Sequence, residues 1–337
     1  MANLKTTYMG IQLKNPVIIG ACNLMQDISK VKEMEEAGAA AIVYKSIFEE
    51  QLQLEEIQMQ DELDEYNDRH AEMTTLFPGL KHAGPKEFLL NLKKVKEAVN
   101  IPVIASINAV YKETWIDYAK QIEEIGVDGL ELNFYAIPKD ASMDEYTIIE
   151  NEISIAKAVK EAVKIPVSVK LGPYYTNVLN VVEQFNKNKV DGFVLFNSLF
   201  QPEIDIESEE HYFPIKLSNK GDYKLPLRFA GLLYNKTKGD VCASTGIFEG
   251  ADVVKLLLAG ADSVQIVSTL YKNGIGHIRK IVSDLEKWME GKGYKSIDDF
   301  KGKLSKEKLS DPFAFKRAQY VDILMKSETV FKKYPMI

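Results

Sequence analysis

Residues 125–134 read IGVDGLELNF, and the fold follows from the way this phrase repeats. AGAAAIVYKS (37–46), NKVDGFVLFN (188–197) and LAGADSVQIVS (258–268) share its layout. Each closes a helical pattern with a turn that usually contains Gly, Asp or Asn. Each then runs into a short, nearly continuous apolar strand and stops on polar residues. NIPVIASIN (100–108) and KIPVSVKLG (164–172) begin with Ile-Pro instead, which is tolerated because a first strand position can forgo its N–H. NPVIIGAC (15–22) and DVCASTGIF (240–248) complete a set of eight strands. Apolar on both faces, they read as parallel strands covered by helices. Helical patterns occupy 27–37, 85–99, 113–125, 147–164, 175–188, 250–259 and 274–291. In the fourth of these, Ile148, Ile149, Ile153, Ala156, Val159 and Val163 form one stripe. Eight strands alternating with helices over about 270 residues predict a closed TIM (β/α)8 barrel. A doubly wound open sheet fits less well, because no GxGxxG follows an early strand and the eight strands are of equal character.

Three segments stand outside the pattern. LKTTYMGIQLK (4–14) reads as a short N-terminal hairpin beneath or beside the first strand. Residues 199–229 follow the sixth strand, and HYFPIKLSNKGDYKLPL within them reads as a hairpin-like insertion on the active face. Residues 292–337 extend the C-terminus with a helical stripe through Phe313, Ala318, Val321, Leu324 and Met325, suited to packing on the barrel wall or on a second subunit. The domain reading is one barrel over 1–304 with a helical extension, 305–337, of the same domain. The stretch 49–73 after the second strand is strongly acidic and reads as solvated.

A net charge of −7 argues against a nucleic-acid partner, whose phosphates would be repelled. No apolar run approaches the roughly 20 residues that cross a bilayer, and the start MANLKTTYMG has no signal-peptide apolar region, so the expectation is no membrane and a cytoplasmic location. Two cysteines, Cys22 and Cys242, are too few for a disulfide framework, and the histidines at 70, 82, 211 and 277 have no ligand spacing, so no metal is expected.

Barrels of this kind keep their chemistry at the C-terminal strand ends. Those ends are Gly20, Ala21 and Cys22; Lys45 and Ser46; Asn108; Asn133; Lys170 and Gly172; Asn197 and Ser198; Ser244, Thr245 and Gly246; and Ser268 and Thr269. STGIFEG and STLYKNG, after the last two strands, suit a phosphate held by backbone N–H groups and small hydroxyls. A lysine at an apolar strand end needs an anionic partner or a depressed pKa. Lys45 and Lys170 could therefore neutralise an anionic ring or a substrate carboxylate, or form a Schiff base. Asparagine amides suit a planar heterocycle with alternating carbonyl and N–H groups. Glu131 lies inside the fourth strand.

IQLKNPVIIGA, IVYKS, LELN, VSVKL, LFNS, STGIFEGADVVKLLLAGADSVQIVSTL and GYKSIDDFKGKL, in this order and spacing, resemble the dihydroorotate dehydrogenase family, FMN-dependent barrel enzymes of pyrimidine biosynthesis, in a class 1-like form. The resemblance runs from about residue 4 to about residue 304. It implies FMN as cofactor, hydride passing from substrate to flavin, and a homodimer. Gly20 and Ala21 would lie against the flavin, with Ser46 on it and Lys45 near both ring and substrate. Asn133 would bond substrate or flavin, and Lys170 would face the N1–C2 carbonyl region. Asn197 and Ser198 would touch substrate, and Thr245, Gly246, Ser268 and Thr269 would hold the phosphate. Asn108 and Ser244 count with the cofactor residues by their strand-end positions.

The family's fourth strand leads into Asn-Leu-Ser-Cys-Pro-Asn, or the same with Ser for Cys, and that Cys or Ser takes the substrate proton. Aligned on Asn133, this base falls on Ala136 and the following Asn on Pro138, so the chain reads as a divergent member without the usual base. Tyr135, Ser142, Tyr146 and Cys22 are replacement candidates. The family's Asn-rich loop after the second strand has no clear match in TTLFPGLKHAGPKEF (74–88). Three readings stand at this point: oxidation of dihydroorotate; an FMN-binding paralogue with another substrate or an electron-transfer role; and a Schiff-base lyase or aldolase using Lys45 or Lys170. The chain has no cysteine cluster for an iron–sulfur centre, so such a centre would belong to a separate electron-transfer partner.

Overall fold

A computed structural model of the chain describes residues 2–49, 86–134, 141–198, 201–212, 214–316 and 318–326. Its centre is a closed barrel of eight parallel strands, and each of the eight phrases supplies one of them. The wall is formed by β3 (Val17–Ile19), β4 (Ala41–Phe48), β5 (Val103–Asn108), β6 (Gly129–Asn133), β7 (Val167–Leu171) and β8 (Gly192–Leu195). It is completed by β11 (Asp240–Ser244) and β12 (Ser263–Ile266), the latter pairing with β3 to close the ring.

The Asp of the repeating phrase has a common structural role. Asp128, just ahead of β6, donates its backbone N–H to the Val103 carbonyl at 2.9 Å and accepts the Val103 N–H on Oδ2 at 2.7 Å. Asp191 brackets Val167 in the same way, and Asp262 brackets Val241. Each carboxylate also meets a lysine, from Lys96, Lys160 and Lys301 respectively. Both backbone groups at the start of one strand are thus satisfied by the residue that opens the next.

The helices α1 (Ile28–Glu36), α2 (Lys86–Ala98), α3 (Lys112–Glu124), α4 (Glu145–Ala162) and α5 (Val178–Lys187) cover the first part of the wall. α6 (Lys224–Leu233), α7 (Gly250–Ala259), α8 (Ser268–Asn273) and α9 (His277–Lys292) cover the rest. Outward strand residues such as Leu130, Leu132, Val167, Val169 and Phe193 form one core with these helices. The inward faces differ from the expectation of strands apolar on both sides. Ser106, Asn108, Glu131, Asn133, Ser168, Lys170, Ser244, Ser263 and Gln265 are all buried polar residues, at alternate positions that face the barrel axis. Helices demand apolar partners only from the outer face, whereas the axis is free to hold a polar constellation.

The N-terminal hairpin, β1 (Thr6–Tyr8) with β2 (Ile11–Leu13), plugs the lower end. Met9, at φ +55°, fills space left by two glycines: a Cβ on Gly192 would lie 2.8 Å from Met9 Cγ, and one on Gly129 would lie 2.9 Å from Met9 Cε.

Two expectations change. The insertion after β8 contains a hairpin, but it is β9 (Glu203–Asp205) with β10 (Glu210–Tyr212), earlier than the segment read as hairpin-like. The KLPLRF stretch is instead the start of α6. Pro226 stands in the first turn, where its missing N–H would have no intrahelical acceptor, so it does not stop the helix. Beyond α9, a strap runs back over the barrel wall: Gly302, Leu304 and Lys306 donate backbone N–H groups to the carbonyls of Leu257, Leu258 and Gly231. Of the two packings read for the last helix, α10 (Ala318–Met325), barrel wall or second subunit, its described residues do not show the first. Val321, Leu324 and Met325 are exposed, as is Phe313 ahead of the helix. No helix among the described residues is long and apolar enough to cross a membrane, and no described group of His, Cys, Asp or Glu is arranged to hold a metal ion.

Candidate functional site

At the heart of the barrel, β6, β7 and β12 each project one residue toward the axis. Glu131 is only 1% exposed, and its Oε2 accepts the Gln265 Nε2–H at 2.6 Å. Lys170 Nζ lies 3.9 Å from Glu131 Oε1 and 3.5 Å from Gln265 Oε1. Gly20, at the end of β3, stands directly against this group: a Cβ there would come within 3.2 Å of Gln265 Oε1 and 2.9 Å of Val267 Cγ2. A side chain at position 20 would press on Gln265 and Val267, so glycine lets the end of β3 approach the buried group closely. Lys170 is turned toward the Glu131 carboxylate and the Gln265 amide oxygen, a placement that suits charge pairing rather than a Schiff-base nucleophile. Lys45 is half-buried and forms no ion pair with any described residue.

Around the mouth runs a second polar group, one strand tip to the next. Asn197 Nδ2 donates to Asn133 Oδ1 at 2.7 Å, and Asn133 Nδ2 reaches Ser46 Oγ at 3.5 Å. Ser46 Oγ meets Ser106 Oγ at 2.6 Å, while Asn108 Nδ2 donates to the Asn133 carbonyl at 2.9 Å. The expected residues Ser46, Asn108, Asn133 and Asn197 are thus brought together, and Ser106 joins them. These bonds leave the amide oxygens of Asn108 and Asn197 as acceptors without a donor among the described residues. Ser198 lies exposed beyond them. Glu49, buried at the end of β4, fixes one neighbouring loop: its carboxylate accepts from the N–H groups of Val110 and Tyr111 and from the Thr114 hydroxyl. That cap helps to order the start of α3.

The third group lies after β11 and β12. Thr245 and Gly246 are consecutive residues in left-handed backbone, at φ +84° and +73°. The Gly246 N–H donates to Ser218 Oγ at 3.1 Å, and Ser218 donates from both its N–H and its hydroxyl to Ser268 Oγ, at 3.0 and 2.9 Å. Lys272 Nζ is 2.8 Å from the Ser218 carbonyl oxygen. Ser218, which the strand-end filter did not pick out, comes from the insertion and meets Gly246 and Ser268 only through the tertiary fold. Ser244 is buried on the inner face of β11, in register with Gln265. Thr269 is buried, its hydroxyl accepting from Asn273. Ala21 is half-buried beside Gly20.

The base candidates fare differently. Cys22 is 9% exposed, and burial pushes its thiol above its ordinary pKa, with the Tyr271 hydroxyl beside it. Such a thiol is a poor proton acceptor. Ser142 and Tyr146 are exposed. Tyr135, Ala136 and Pro138 lie outside the described residues, as do residues 50–85, which include most of the acidic stretch and nearly all of the loop compared with the family's Asn-rich segment. Gln265 is a further residue that sequence reading passed over, a polar residue hidden in the apolar-looking run SVQIV.

The three groups fit FMN. A buried cation, a group of amides and hydroxyls at the strand tips and a cluster of serine hydroxyls beside the left-handed Thr245–Gly246 turn suit a flat polar ring ending in a phosphate. Comparison with known proteins agrees. The family model described as dihydroorotate dehydrogenase matches residues 3–289. The chain is 29% identical over 315 residues to the "Dihydroorotate dehydrogenase B (NAD(+)), catalytic subunit" of Thermoplasma volcanium, covering 90% of this chain and 98% of that one. The proteins of the same description from Methanocaldococcus jannaschii and Pyrococcus furiosus are 29% identical over 294 residues and 30% identical over 312. The first alignment covers 84% of this chain and 92% of the relative, the second 89% and 98%.

Proposed function

The chain belongs to the dihydroorotate dehydrogenase family, and from that premise we propose that it is an FMN-dependent oxidoreductase that oxidises the CH–CH bond of dihydroorotate to give orotate. The observation that carries the reading is the relay Asn197–Asn133–Ser46–Ser106 standing above the buried Lys170. FMN, when bound, supplies the acceptor for the hydride.

This chain's residues bind and orient. Ser218, Gly246 and Ser268 hold the phosphate, and Gly20 and Ala21 lie along the ring. Lys170 would supply a positive charge that favours the negative charge the bound ring gains on reduction. The free amide oxygens of Asn108 and Asn197 accept from ring N–H groups of the substrate, while Lys45 meets its carboxylate. Ser198 contacts the substrate from the rim. The relay fixes which end of each amide faces inward, so the site is ordered before substrate arrives.

Oxidation of the substrate also releases a proton, and Ala136 stands where the family has Cys or Ser. We place the acceptor in the same loop, at Tyr135 or Ser142, because the buried Cys22 thiol is pushed up. The decisive experiment is an anaerobic titration of the yellow protein with dihydroorotate, which should bleach the flavin. A flavin that dithionite reduces but dihydroorotate does not would refute the substrate assignment. Ala136→Ser and Ala136→Cys should raise the bleaching rate, and Tyr135→Phe should lower it if Tyr135 is the acceptor.

The relatives are described as NAD(+)-linked catalytic subunits. By analogy, electrons leave this flavin through a separate electron-transfer subunit rather than through a centre of this chain. We also place the protein in the cytoplasm as a homodimer, which sedimentation of the purified chain tests.

A further inference from the structure

We infer that Glu131, held by Gln265, is a positioning residue that counter-charges Lys170 and so sets how strongly the bound flavin favours its reduced state. The inference rests on the FMN reading above.

Three observations carry it. Glu131 is buried at the barrel axis with Oε1 lacking any hydrogen-bond partner, and its distance to Lys170 Nζ, 3.9 Å, is long for an ion pair. A buried pair with one oxygen unsatisfied and loose geometry does not repay its desolvation, so structural stabilisation does not account for it. The Gln265 amide is oriented by that carboxylate: Nε2 is committed to Glu131, which turns Oε1 toward Lys170. Finally, the same Oε1 lies close to Gly20, where a Cβ would come within 3.2 Å of it, so the pair reaches the end of the strand that the FMN reading sets against the ring. The carboxylate, the amide and the ammonium therefore form one unit at the barrel axis, with the negative charge within 3.9 Å of the cation. Lys170 stabilises negative charge on the reduced ring, and Glu131 offsets part of that effect.

The test is the midpoint potential of bound FMN, with the dissociation constants of oxidised and reduced FMN measured alongside. Glu131→Gln removes the charge and keeps the shape. It should raise the potential and tighten reduced FMN relative to oxidised FMN by about tenfold or more, as Coulomb's law gives at the effective dielectric of a buried site. Glu131→Met, which has neither charge nor donor, should shift the potential in the same direction and serves if the glutamine variant fails to fold. Lys170→Met should shift it the opposite way. Loss of packing alone would weaken both FMN forms equally and leave the potential in place. An unchanged or lowered potential in both Glu131 variants overturns the inference while the FMN reading stands. A wild-type protein that binds no FMN overturns both.

Discussion

Substituting Glu152 with Gln should make the protein more stable at alkaline pH, and the size follows from where that carboxylate sits. Glu152 lies on the buried side of α4, 5% exposed, and its Oε2 accepts the Tyr175 hydroxyl at 2.7 Å. Burial pushes its carboxyl from an ordinary 4.5 up to about 7, against the opposing pull of the Tyr175 hydrogen bond. Tyr175 is itself raised by burial and by Glu152, so it stays a neutral donor throughout. Below about pH 4.5 the group is protonated in both folded and unfolded chains and the stability is fully present. As pH rises, the unfolded chain ionises first. The folded state loses ground until pH passes about 7, by about 3 kcal/mol at 1.36 kcal/mol per pKa unit. Asp240, pushed to about 6 by burial and by Asp262, adds a loss of its own at lower pH, so the comparison of variant with wild type carries the test. Urea unfolding followed by the fluorescence of Trp115, which is buried in the helical layer, measures both. Near pH 5 the two proteins should agree within about 1 kcal/mol, and at pH 8.5 Glu152→Gln should be more stable by about 2–3 kcal/mol. Parallel profiles from pH 5 to 8.5 would refute the reasoning.

Gly246→Ala forces a side chain into a left-handed backbone, 2.5 Å from the Tyr223 nitrogen, and should weaken FMN binding about fivefold or more, about 1–3 kcal/mol, as read by flavin fluorescence. Ser218→Ala removes the hydroxyl between Gly246 and Ser268 and should cost about 1–2 kcal/mol of FMN affinity in the same assay. At the opposite end of the barrel, Gly192→Ala collides with Met9 and should lower stability by about 1–3 kcal/mol in urea unfolding. With the plug remote from the site, its FMN affinity should stay within about twofold of wild type.

The repeating phrase was enough to specify eight strands, their direction and the closed barrel, because outward-facing residues must be apolar wherever a helix packs on them, and that requirement is written residue by residue. The strand-end filter picked out Ser46, Asn108, Asn133 and Asn197, which the structure joins in one hydrogen-bonded group, since a polar residue ending an apolar run is a local signal. KLPLRFAGLL hid a helix because a proline in the first turn looks like a break until the helix's start is known. Ser218 gave no signal, being one serine in a polar insertion. Only the return of that insertion to the loops after β11 and β12 brings it between Gly246 and Ser268. Glu131 and Gln265 were visible as residues but not as a pair. They are 134 positions apart and meet only because the sheet closes on itself. What the sequence alone determined was the layered fold and the type of chemistry at the strand tips, both of which depend on local pattern. The tertiary structure decided which buried charges face one another, because such contacts cross the barrel axis, where no periodicity in the chain records them.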